Sequence, residues 1–135
     1  NLLAVTIDEG ANNYSALEID EMLESLGTLF SISVEPEFVF FSMMTLKNNL
    51  NKSLEILSWI LQKPNFTEND FNREKNRILS EVLRLKDSPA FVADYVTNTT
   101  IFKNTPYAYI HMGNSKTLQN INLDDVKKQY EKYIS

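Results

Sequence analysis

The chain has 135 residues, of which 43% are hydrophobic and 23% charged, with a net charge of −5. That is enough for one domain with a real core, and the lack of any basic stripe or run excludes a nucleic-acid footprint. Cysteine is absent, so there is neither a disulfide nor a thiolate metal site, and no apolar run approaches the roughly 20 residues of a membrane-spanning helix.

Residues 2–7 (Leu-Leu-Ala-Val-Thr-Ile) are apolar and suit helix or strand by periodicity. They begin without an initiator Met or a signal-peptide pattern, so residues 1–135 are expected to be part of a single domain cut at both ends. Asp8-Glu9-Gly10 reads as a turn or helix end. Ser15 with Glu18 three positions on is a capping box, since each side chain satisfies a free backbone donor at the start of a helix. Ile19, Leu23 and Leu26 follow at helical spacing, and Gly27 supplies the left-handed stop.

Leu29–Val34 alternates, with Phe30, Ile32 and Val34 on one face and Ser31 and Ser33 on the other, which predicts a strand. Pro36 marks a turn. Phe38–Leu46 is apolar on both faces and is expected to be a central strand of a covered sheet. The two strands form a hairpin over 29–46. Phe38, Phe40 and Phe41 could line a peptide groove, but sheet core is the favoured reading.

Leu50, Leu54, Leu57 and Leu61 form a helical stripe, widened by Ile56, Trp59 and Ile60, and are expected to be core. Pro64 ends that helix. Thr67 opens the longest helix, with Phe71, Ile78, Val82 and Leu85 on its core face. Ser88-Pro89 breaks it and starts another helix, Pro89 taking the first helical position. Residues 103–121 read as loop, and Asn122 caps a last helix carrying Val126, Tyr130 and Ile134. The order of helix, hairpin, then four helices predicts an α+β fold, an antiparallel sheet covered on one side by helices. A hairpin alone is marginal, so the remaining strands are expected outside residues 1–135.

The ordered punctuation resembles one family across nearly the whole chain. It includes Asp8-Glu9-Gly10, Ser15 to Ile19, Leu23 to Gly27, Leu54 to Leu57 and Pro64-Asn65-Phe66. It continues with Phe71 to Lys75, Ile78 to Glu81, Asp87-Ser88-Pro89, Pro106-Tyr107, Gly113 and Ile121. This set resembles the pitrilysin/insulinase family of inverted zinc metallopeptidases. The resemblance implies a clamshell of homologous α+β domains, one half holding zinc and the other helping to bind peptide.

Active members carry H-x-x-E-H on their first helix. The two imidazoles bind zinc and the glutamate activates the bound water as general base. Counted back from Gly10, the motif falls on Asn1 to Val5, with Asn1 and Val5 at the histidine positions and Ala4 at the base position. Glu81 matches the third-ligand position on the long helix, and Glu74 the second acidic position, about two turns earlier on the same face. One carboxylate does not rebuild a zinc site that needs three protein ligands. Glu74 and Glu81 therefore read as solvent-facing, capping or ion-paired residues, with Arg73, Arg77 and Arg84 in reach.

His111, the single histidine, lies near Tyr107 and Tyr109 and has no second histidine to join in a metal site. No nucleophile elbow or phosphate-binding loop is present. No residue of the chain is expected to be catalytic or to hold metal. Zinc is expected in the catalytic half of the same chain or in a homologous zinc-bearing subunit, acting on a peptide substrate. A periplasmic or organellar compartment is expected over a cytosolic one. Two other readings are a non-proteolytic scaffold of the same fold and an unrelated α+β binding module. The last requires a sheet completed within these residues.

Overall fold

The computed structural model describes residues 1–110 and 112–134. Residues 1–9 coil as successive turns, with the Val5 N–H donating to the Asn1 carbonyl and the Ile7 N–H to that of Leu3. A short antiparallel pair follows, β1 (Gly10–Ala11) and β2 (Tyr14–Ser15). Asn12 and Asn13 connect them at φ 53° and 71°. Two consecutive left-handed residues are what a tight two-residue hairpin requires, and asparagine tolerates that region. The sequence reading did not anticipate this hairpin.

Helix α1 (Ala16–Ser25) starts at the expected capping box. It ends with the Gly27 N–H on the Glu24 carbonyl and the Thr28 N–H on that of Leu23. Gly27 takes φ +61°, so this is a Schellman stop. Strands β3 (Leu29–Val34) and β4 (Val39–Met44) pair antiparallel, Leu29 opposite Met44 and Val34 opposite Val39. Phe30, Ile32 and Val34 take the half-buried face of β3, as the alternation required.

Among the described residues β4 pairs with β3 alone, and Phe38 and Phe40 stand 60% and 53% exposed instead of forming sheet core. Only Phe41 of that aromatic group turns inward onto the core. The physical reason is alternation: Phe38 and Phe40 point the same way, to a face left uncovered among the described residues.

After a single 3-10 turn at Lys47–Asn49, helix α2 (Leu50–Gln62) buries Ser53, Ile56 and Ile60. The expected leucine stripe is displaced to the flank, with Leu50 and Leu54 exposed. Buried Ser53 explains the offset. Its Oγ lies 2.7 Å from the Thr28 hydroxyl and 3.0 Å from that of Thr45, a satisfied hydroxyl cluster where α2 meets the base of the hairpin. A serine inside a core face is invisible to a count of apolar residues.

Helix α3 (Glu68–Leu85) buries Phe71, Glu74, Ile78 and Val82, and helix α4 (Pro89–Ile101) buries nothing. Residues 103–121 are not all loop. A 3-10 turn at Pro106–Ala108 precedes α5 (Ser115–Asn120), which begins at an Asn114/Thr117 capping box. Capping by Asn and Thr instead of Ser and Glu hid it. Lys75 of α3 donates to the carbonyls of Gln119 and Ile121, capping the end of α5 where the helix dipole is negative. Helix α6 (Leu123–Tyr133) closes the chain on its Asn122 cap.

The core has two parts. The larger joins Leu2 and Ile7 to α3, α5 and α6. The smaller packs α1 against α2 around Ile19, Leu23, Ile56 and Ile60, over Ala11. No described helix is long and apolar enough to cross a membrane.

Candidate functional site

The segment 1–9 is positioned by burial. Ile7 and Thr6 are fully enclosed, and Leu2 and Ala4 nearly so. The Thr6 hydroxyl donates to the Leu2 carbonyl at 2.6 Å, which keeps a polar group satisfied inside. The turn from Asn1 to Val5 brings these two residues one helical turn apart, the spacing of the two histidines in an inverted zinc motif. The groups they present are an amide and an isopropyl. Leu3 and Val5 pack against the larger core, and Ala4 is buried methyl where a general base is needed.

Both acidic positions of α3 are ion-paired along their own helix. Glu74 is 6% exposed and accepts from Arg77 Nε at 2.7 Å, with Arg73 Nε at 3.6 Å. It is therefore paired but not solvent-facing. Glu81 is held by a two-point contact from Arg84, Nε to Oε2 at 3.0 Å and Nη2 to Oε1 at 2.5 Å. Hydrogen bonding from Arg84 keeps the Glu81 carboxyl below the ordinary glutamate range.

Two further carboxylates belong to this cluster, and the sequence reading passed over them as turn residues. Asp8 is pushed up by burial, with Asp20 and Glu74 adding to the effect. Glu9 is raised to about 7, chiefly by burial and further by Glu74 and Asp8, against the pull of Arg73. Arg73 reaches both Glu9 and Asp70, so one guanidinium ties the segment 1–9 to the first turns of α3. Nothing in the local sequence marks Glu9 as buried, because its burial depends on residues some sixty positions away.

Among the described residues no group of three or more His, Cys, Asp or Glu side chains is placed to share a metal ion. An amide, an isopropyl group and a carboxylate engaged by Arg84 do not fit a catalytic zinc. His111 lies outside the described residues.

Buried turns leading into a small hairpin, a hairpin sheet backed by helices, and a long helix with two paired glutamates define an α+β domain. Residues 2–115 match the family model for insulinase, peptidase family M16. The chain belongs to this pitrilysin/insulinase family of zinc peptidases. It is 27% identical over 131 residues to the "Non-peptidase homolog YmxG" of Helicobacter pylori, covering 97% of this chain and 30% of that protein. It is 25% identical over 122 residues to the probable beta subunit of the mitochondrial-processing peptidase of Arabidopsis thaliana, covering 90% and 23%. A solved "peptidase M16 inactive domain" from Pseudomonas fluorescens superposes at a TM-score of 0.89 with 22% identity, over 94% of this chain and 31% of that one. That likeness is one of fold. The chain thus spans under a third of the length of these relatives. The family match and a relative named as a non-peptidase fit a non-catalytic domain of a pitrilysin-family protein.

Proposed function

We propose that this chain is the supporting part of a two-half peptidase. It helps to enclose a chamber in which a peptide is bound, while zinc is held by a catalytic half of the same polypeptide or by a homologous zinc-bearing subunit. The reading is carried by the register counted back from Gly10, which puts Asn1, Ala4 and Val5 at the histidine, base and histidine positions of the motif, and by Arg84 engaging the Glu81 carboxylate. Catalysis by zinc needs three protein ligands and an open position, and a base within reach of the bound water. The chain supplies neither, so its contribution lies in shape and binding. The peptidase names of its family are the support for a peptide as the bound molecule.

The test has two arms. Zinc titrated into the chain should show no stoichiometric uptake, and tight one-to-one zinc overturns the reading. Deleting this domain from the assembled protein should then abolish peptide cleavage while leaving zinc in the catalytic half. Cleavage that survives the deletion favours a second reading, a non-proteolytic scaffold. That alternative draws support from the relative described as a non-peptidase homolog.

A further inference from the structure

Between the last turns of α3, helix α4 and the start of α5 lies a cavity of about 540 Å³. That size suits a small organic ligand or one to two amino-acid residues. Val82, Phe91, Val92 and Tyr95 form its apolar wall. Its charged lining residues, among those described, are Lys86 and Lys103. Among the described residues no acidic side chain lines it, in a chain with 18 acidic and 13 basic residues. The other cations near α3 are spent: Arg73, Arg77 and Arg84 all sit on carboxylates. Lys86 and Lys103 make no ion pair among the described residues, although most charged neighbours available in this protein are carboxylates.

We propose that this cavity binds a small apolar carboxylate, its hydrocarbon part against Val82, Phe91 and Tyr95 and its anionic end between Lys86 and Lys103. The physical case is complementarity. An apolar wall takes up hydrocarbon at about 25 cal/mol per Å² removed from water. Lys86 and Lys103 are both solvent-exposed, so they offer an anion a charge-assisted hydrogen bond at the rim of the cavity, weakened by competing water. A cation or a neutral polar molecule gains nothing there. Two sources present this chemistry: the C-terminal residue of a peptide and the head of a fatty acid. The proposal does not depend on the chamber reading.

The test is a calorimetric titration of the full chain with N-acetyl-leucyl-phenylalanine, its C-terminal amide, and octanoate. The acid should bind and the amide about two- to fivefold more weakly, the range expected when the charged partners are solvent-exposed. Binding by the dipeptide acid assigns the site to peptide ends, and binding by octanoate alone assigns it to fatty acids. The double variant Lys86→Gln/Lys103→Gln should lose the preference for acid over amide. Lys86→Arg/Lys103→Arg, which keeps both charges, should retain it and so separates loss of charge from loss of fold. Equal binding of acid and amide overturns the proposal, as does binding by neither acid, or an unchanged preference in the glutamine variant.

Discussion

Helices α3 and α4 follow one another, each opened by a hydroxyl cap, Thr67 and Ser88. By composition α4 is the more apolar, yet it buries no residue, whereas α3, crowded with Glu, Asp, Asn, Arg and Lys, buries Phe71, Glu74, Ile78 and Val82. The contrast separates apolar content from burial. The buried residues of α3 recur every three or four positions and make one stripe. On α4 Val92, Tyr95 and Val96 fall at i, i+3 and i+4 on one face, with Ile101 on the other side, yet all four stay exposed. An apolar stripe is buried only where another element covers it. Its main neighbour here is the short turn at Pro106–Ala108.

The sharpest way to break this comparison is to truncate one side chain on each helix. Phe71→Ala should cost about 3–5 kcal/mol, the usual range for a buried phenylalanine. Val96→Ala should stay within about 0.5 kcal/mol, as surface changes do. Urea midpoints of the two variants measure the difference. Similar losses at both sites show that α4 is packed as tightly as α3.

The caps give a smaller and more local comparison. Each hydroxyl accepts from the third helical residue, Thr67 from the Asp70 N–H and Ser88 from the Phe91 N–H. Removing such a cap costs about 1 kcal/mol of helix stability. Thr67→Ala should lower the global unfolding midpoint, because α3 unfolds with the core. Ser88→Ala should leave that midpoint nearly still and speed amide exchange within 89–101, since a helix outside the core opens on its own. A drop in the global midpoint for Ser88→Ala shows instead that α4 unfolds together with the core.

What was legible in the sequence follows the same division. The capping box at Ser15, the stop at Gly27, the alternation of 29–34 and the starts at Thr67, Ser88 and Asn122 are all local signals, and each appears at its place. The errors came where partners decide. On α2 Ile56 and Ile60 are core as expected, but Ser53 takes the place of Leu50 and Leu54, because hydroxyls from β3's entry and β4's exit satisfy it. The exposure of Phe38 and Phe40 depends on which elements cover the sheet, and no local pattern states that. The site divides similarly. The arginine pairing of Glu74 and Glu81 was readable from spacing, whereas the burial of Glu74 and the involvement of Glu9 were not.

Glu9 also provides the smallest predicted effect, and one that belongs to α3 alone. Its carboxyl is raised from 4.5 to about 7, first by burial and then by the nearby Glu74 and Asp8 carboxylates, with Arg73 opposing. Between those two values the folded chain holds a proton at Glu9 that the unfolded chain has released. Stability from this group is therefore fully present below pH 4.5 and is lost as pH rises toward 7. Glu9→Gln cannot ionise and should lack that slope. Comparing urea midpoints at pH 5 and pH 8, the wild-type chain should fall further than the variant, modestly, because Glu9 keeps partial access to solvent. Parallel behaviour of the two proteins means that the Arg73 contact fully offsets the burial. A reversed order means that it outweighs the burial, leaving Glu9 ionised at the junction between residues 1–9 and α3.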